Sequence, residues 1–215
     1  EFRRVLFRSE GIPQNGAREL LVNDPFSQGP RLFARNCSSC HRFEGHDATG
    51  QLILKTVEKD GIKTVVPELE TAADLKDFGS REWITRVLTD YDTTFKPLEN
   101  AGEKGKAIQT GEMSNWFKEN QKVLTDPANA ESLKALVEFL AEQSGRTDLG
   151  EFDKKLAAQG REIFKGGALK SGNLSSSCAD CHAMKVAGET ESLSDGAGGG
   201  YPKLTGYGGQ IGRAH

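Results

Sequence analysis

Two copies of one five-residue pattern constrain this chain more than anything else in it: Cys37-Ser38-Ser39-Cys40-His41 and Cys178-Ala179-Asp180-Cys181-His182. All four cysteines lie in these two places. Two thiols with two residues between them project from one helical turn, and the imidazole that follows at once points the same way. That spacing suits the two vinyl groups of one porphyrin, with the histidine on its iron, and is a signature of covalent haem attachment. Two haem c groups are therefore expected. Cys37, Cys40, Cys178 and Cys181 would carry the thioether bonds, and His41 and His182 would be the proximal iron ligands. Zinc knuckles pair at separations of about 15–20 residues, whereas 137 residues lie between Cys40 and Cys178. A thioredoxin-type redox pair needs a βαβ context that the pattern of this chain lacks.

The two ends read differently from the rest. Glu1–Ser9 is what the tail of a common sequencing adapter encodes, and Ile211–His215 is what the same adapter encodes on the opposite strand. Natural sequence is expected from Glu10 to about Gln210, truncated at both ends. Without the ends, which hold four arginines and one glutamate, the formal net charge moves from −3 to −6. An acidic segment argues against nucleic acid as a partner and favours a basic or neutral redox protein. No stretch approaches the roughly 20 apolar residues of a membrane span. Haem attachment through thioethers takes place outside the cytoplasmic membrane. The expected location is the periplasmic side of a bacterial membrane, with an anchor or export signal in missing sequence.

Periodicity predicts helices after Pro30, over Ser80–Leu88 with Ser80 as N-cap, over about Ala128–Gln143 ending near Gly145, and over about Phe152–Phe164. Little else reads as strand, although Gln51–Val57 is a candidate. The expected class is all-α. Gly29-Pro30-Arg31-Leu32-Phe33 before the first motif has a counterpart in Gly160-Arg161-Glu162-Ile163-Phe164 before the second. Asp74-Leu75-Lys76-Asp77-Phe78-Gly79 pairs likewise with Lys203-Leu204-Thr205-Gly206-Tyr207-Gly208. Tandem repetition of one haem module follows. The expected division is an adapter-like scar and linker over 1–27, a first domain over 28–145, a linker over 146–151, a partial second domain over 152–210, and a scar over 211–215.

The distal ligand decides what each iron does. Met113, in Thr110-Gly111-Glu112-Met113-Ser114, is read as a loop thioether on the iron of the first haem. Met184 follows His182 too closely to reach the opposite face and is read as packing, as His46 is read as solvent-facing or propionate-side. By the offset of Met113 from Gly79, the distal ligand of the second haem falls beyond the end of the chain. A proximal histidine usually donates its other ring N–H to a carbonyl. Pro202 and its neighbours are placed to accept from His182, and Ala73 holds the matching position for His41.

The module resembles a class I, mono-haem cytochrome c domain. Tyr201-Pro202-Lys203-Leu204-Thr205-Gly206 looks like that family's Gly-Pro-x-Leu-x-Gly stretch, and the first copy departs from it with Ala73 where Pro is usual. The resemblance implies that the helix of Gly29 and Phe33 crosses the helix of Phe139 and Leu140. Asn23–Ala34 together with Phe78–Ile84 further resembles the dihaem tail of fused cytochrome b/c subunits of bacterial quinol:cytochrome c oxidoreductases. That likeness implies a cytochrome b moiety upstream. Electrons would flow from quinol, through an iron–sulfur protein, into these haems and on to a cytochrome or oxidase of a respiratory chain. The expected function is electron transfer rather than catalysis. The alternatives are a dihaem peroxidase-like enzyme, which needs one open haem face and an acid–base group, and a freestanding soluble dihaem carrier.

Overall fold

The computed structural model describes residues 16–207, so the adapter-like segments Glu1–Ser9 and Ile211–His215 lie outside the described residues. The chain divides between Lys76 and Asp77 into two compact units. This division does not coincide with the expected linker at 146–151. The described residues are mainly helical.

In the first unit, helices α1 (Ala17–Asn23) and α2 (Pro25–Asn36) lead to the first motif. Helix α2 begins well before the expected start at Pro30. Asp24 caps it by accepting from the Phe26 N–H, and Pro25 occupies its first turn, where a missing N–H costs nothing. Pro30 is then an interior proline, which offers no N–H to the helix and crowds the carbonyl four residues before it.

Beyond the motif, β1 (Leu54–Lys59) and β2 (Ile62–Pro67) form an antiparallel hairpin. It is a departure from the all-α expectation, and it extends the one candidate strand. Its turn is Asp60-Gly61, both at positive φ (54° and 77°), the dipeptide favoured by two-residue hairpin turns. β-branched residues on both strands supply the rest. Both strands are exposed along nearly all their length, so local pairing rather than core burial defines the hairpin.

The second unit begins with α3 (Arg81–Thr89). Its expected cap is present, since Ser80 Oγ accepts from the Trp83 N–H at 3.1 Å. Short helices α4 (Tyr91–Thr94) and α5 (Glu103–Gln109) follow, with a 3-10 turn at Lys96–Ala101 between them. Then come α6 (Glu112–Leu124), a 3-10 turn at Pro127–Asn129, α7 (Ala130–Gln143), α8 (Lys154–Gly166) and the single turn α9 (Cys178–Cys181). Phe117, Leu124, Leu136, Phe139 and Phe164 are fully buried and make the centre of the core.

Helices α7 and α8 pack together at Gly160. A Cβ there would stand 1.9 Å from the Ala135 carbonyl oxygen and 2.8 Å from Phe139 Cβ. Only glycine permits this approach. Phe139 meets Phe164 one turn further on, with ring centroids 5.6 Å apart. The expected partners of Phe139 were Gly29 and Phe33. Within the second unit Phe139 meets the equivalent pair of the second repeat, Gly160 and Phe164.

Charged groups tie the unit's backbone. Arg81 grips Glu138 with Nε at 2.5 Å and Nη2 at 2.9 Å, and donates from Nη1 to the Leu149 carbonyl at 2.8 Å. Glu138 also accepts at 2.8 Å from the N–H of Asp153, the N-cap of α8. Arg146 donates to the Phe78 carbonyl at 2.8 Å. The expected linker is thus held at several points by hydrogen bonds.

Gly160→Ala should destabilise the fold by about 1–3 kcal/mol or more, because backbone must move to admit the methyl group. Chemical unfolding of the two proteins measures this. The Glu138 carboxyl is held below its ordinary value chiefly by its hydrogen bond from Arg81. A depressed carboxyl contributes stability above its unfolded value and loses it as pH falls. Glu138→Gln should therefore be less stable than the parent at neutral pH. The gap between the two urea midpoints should close as pH falls below about 4.5, the ordinary carboxyl value.

Candidate functional site

Each motif is built on one tight hydrogen-bonded turn, which is a turn of helix at the second. At the first, the Cys40 and His41 N–H groups both donate to the Cys37 carbonyl, at 3.1 and 2.9 Å. At the second, the His182 N–H donates to the Cys178 carbonyl at 2.8 Å. There Ser177 caps the turn in a reciprocal box with Asp180. All four cysteines are free thiols.

A carbonyl fixes each imidazole. His41 Nδ1 lies 2.7 Å from the Ala73 oxygen, and His182 Nδ1 lies 2.9 Å from the Pro202 oxygen. A carbonyl only accepts, so Nδ1 carries the proton in both rings, and Nε2 keeps its lone pair for a metal. The strands that supply these carbonyls are themselves fastened. Thr71 and Ala72 donate to the Cys40 carbonyl, and Leu75 donates to that of Arg42. Likewise, Leu204 donates to the Ala183 carbonyl and Ala197 to that of Cys181.

Arg42, which sequence reasoning passed over, is the main brace of the first motif. It is only 3% exposed. Its guanidinium donates to the carbonyls of Ser38 (2.6 Å), His41 (3.0 Å) and Glu68 (2.7 Å). Its place directly after the motif histidine was the available signal.

The second motif is approached by a Ser- and Gly-rich segment that two asparagines hold in place. Asn120 on α6 accepts from the Ser175 N–H at 2.7 Å and donates to its hydroxyl at 2.8 Å. Asn129 accepts from the Ser171 N–H at 2.7 Å and donates to that residue's carbonyl at 2.7 Å. Trp116 Nε1 donates to the Ser176 carbonyl at 3.0 Å. Asn120 and Asn129 are almost fully buried, and nothing in the spacing of the sequence marked them.

Met113 lies in the first turn of α6 rather than in the expected loop, and is half-buried. Met184 is 1% exposed and bridges to Ser194 through the backbone, a packing position. His46 Nδ1 accepts from the Ala48 N–H at 3.0 Å, a local turn contact.

The residues present fit a covalently bound haem on several counts. Both proximal rings are oriented with Nε2 open. Among the described residues no group of three or more His, Cys, Asp or Glu side chains is placed to hold a bare metal ion. Two buried donors in the second unit, Trp83 Nε1 and Ser114 Oγ, have no protein partner. An unpaired buried donor costs roughly 1–3 kcal/mol. A porphyrin carboxylate is an acceptor chemically suited to such a donor.

The fold and these motifs suit a protein that binds haem covalently. Residues 26–144, more than half of the chain, match the family model for cytochrome c, and the chain belongs to the cytochrome c family. Covalent haem c and electron transfer come with that membership. No curated protein and no solved structure matches the chain. The matched region takes in the first motif and ends before the second.

The Cys178 thiol is pushed up to about 12, with burial the main cause. Burial also raises the Cys181 thiol, and the Glu112 carboxylate adds to the shift. Nucleophilic attack needs the thiolate. In protein made without haem, Cys178 should resist iodoacetamide even at about pH 9, as mass spectrometry of the alkylated peptides will show. Unfolding in guanidinium should abolish that protection.

Proposed function

We propose that the chain is a dihaem electron-transfer unit, carrying one haem c at Cys37, Cys40 and His41 and a second at Cys178, Cys181 and His182. The observation that carries this reading is the repetition of the proximal arrangement. Both histidines follow a paired-cysteine turn, and both direct Nδ1 at a backbone carbonyl within 3 Å. A motif kept only by chance sequence has no reason to recruit that carbonyl.

When bound, haem iron supplies a one-electron couple between ferrous and ferric states. The chain's own residues set the conditions for it. The Ala73 and Pro202 carbonyls polarise the imidazole N–H groups and make Nε2 a better donor, which favours the ferric state. A methionine ligand, if it joined the histidine, would work in the other direction and raise the potential. Thioether bonds from Cys37, Cys40, Cys178 and Cys181 would tether each haem to the turn that bears them.

The wider reading is a subunit fragment of a bacterial quinol:cytochrome c oxidoreductase, working on the periplasmic side of the cytoplasmic membrane. A cytochrome b moiety would lie upstream, an iron–sulfur protein would be the donor, and a cytochrome or oxidase the acceptor. Its support is the likeness of Asn23–Ala34 and Phe78–Ile84 to the tails of such subunits, with the acidic charge that remains once the ends are set aside. No helix among the described residues is long and apolar enough to cross a membrane.

Expression with haem-attachment machinery should give two haems per chain by pyridine haemochrome assay. A Cys37→Ala/Cys40→Ala variant and a Cys178→Ala/Cys181→Ala variant should each give one. One haem in the parent protein overturns the dihaem reading. Rapid turnover of hydrogen peroxide with a reduced donor overturns the carrier reading in favour of an enzyme.

A further inference from the structure

We propose that the β1–β2 hairpin is a self-association surface, through which two copies of this chain join along β1 into one four-stranded antiparallel sheet.

The register identifies the backbone groups that such a contact would use. Leu54 stands opposite Pro67, Thr56 opposite Val65 and Glu58 opposite Lys63. At the base of the hairpin the Glu68 N–H donates to the Ile53 carbonyl at 2.8 Å, so Ile53 and Glu68 are a hydrogen-bonded pair. In an antiparallel ladder such pairs alternate with non-bonded ones. The bonded pairs are then Lys55 with Val66, Val57 with Thr64 and Lys59 with Ile62. Leu54, Thr56 and Glu58 turn their N–H and C=O groups outward along the edge of β1. Lys63, Val65 and Pro67 do so along the edge of β2. Among the described residues no further strand pairs with either edge, and every residue of β1 is exposed.

The two edges are unequal. Lysine and proline at outward positions are the usual devices that discourage pairing, and proline has no N–H to give. The β2 edge carries both, at Lys63 and Pro67. The β1 edge carries neither at Leu54, Thr56 or Glu58.

The β1 edge is also complementary to itself. Antiparallel pairing about a two-fold axis at Thr56 sets Thr56 against Thr56 of the other copy. Leu54 then faces Glu58, and Lys55 faces Val57, so no like charges stand opposite one another. Leu54, Thr56 and Glu58 each exchange N–H and C=O bonds with the residue they face. A two-fold contact uses the same patch on both copies and closes at the dimer. A two-stranded hairpin alone is marginal in water, and this one has no core beneath it. Joining two of them gives four strands, with the exposed Leu54 and Val65 of both copies on one face. Strand β1 offers six residues a side, against about 20–30 in a standard interface, so the dimer is concentration-dependent.

Sedimentation equilibrium of full-length ferrous holoprotein, in a series rising to about 1 mM, should show monomer passing to dimer and nothing larger. Over the same series, amide hydrogen exchange should slow at Leu54, Thr56 and Glu58 and stay fast at Lys63 and Val65. Thr56→Pro removes an N–H that the hairpin itself does not use and should abolish the dimer. Val65→Pro, the same change on the other edge, should leave it. Thr56→Lys and Thr56→Glu keep the backbone donor. Each alone should associate at least about fivefold more weakly than the two mixed at low salt. Monomer throughout the series, growth beyond the dimer, or protection along β2 overturns the proposal. So does equal association of the charge variants alone and mixed.

Discussion

The close approach of two helix backbones at Gly160 governs the rest of the second unit. Because no side chain separates them, α8 can lie directly on the Ala135 carbonyl, and the large rings of Phe139 and Phe164 fill the space beside the contact. Everything that positions the second attachment turn follows from where α8 lies. The helix stops at Gly167, whose left-handed conformation (φ 68°) reverses the chain towards the Ser-rich approach. That approach meets α6, and α6 brings Glu112 to Tyr201. A residue with any side chain at 160 would separate α7 from α8 and shift each later contact in turn.

Arginine does an unusual share of the fastening. Arg42, Arg81 and Arg146 each donate to at least one backbone carbonyl in a non-repetitive segment. A planar guanidinium with several fixed donors can satisfy carbonyls that no helix or sheet provides for. This matters in a domain whose loops are long and whose own side chains supply little core. The positive charge is secondary in these roles, although the pairing of Arg81 with Glu138 uses both charge and geometry.

Much of this was legible in the sequence because local chemistry dictates it. The attachment turns, the Ser80 cap, the helix that ends before Gly145 and the carbonyls of Ala73 and Pro202 all follow from residue type and short spacing. The early start of α2 was missed because Pro30 was taken as an opening signal when Asp24-Pro25 was the stronger one. The hairpin was missed although Asp60-Gly61 lay between β-branched runs. The meeting of Phe139 with Phe164 was beyond reach for a different reason. Two repeats carry the same glycine and aromatic at the same spacing, so either satisfies the pattern, and periodicity cannot choose between Gly29 with Phe33 and Gly160 with Phe164. Asn120 and Asn129 were illegible because their importance lies in what they face, not in their neighbours along the chain.

The β1–β2 hairpin explains how two copies of one design tolerate different lengths. His41 reaches a carbonyl 32 residues ahead, and His182 reaches one only 20 ahead. The extra length in the first copy is taken up largely by a stem that closes on itself, where the Glu68 N–H donates to the Ile53 carbonyl at 2.8 Å. Even for an unstructured loop, this lengthening would add only about 0.4 kcal/mol of closure entropy. A stem that is self-paired and exposed adds no demand on the core. The hairpin is thus a place where the gene can gain or lose codons while the imidazole keeps its carbonyl, a mechanical buffer between evolutionary change and the redox centre.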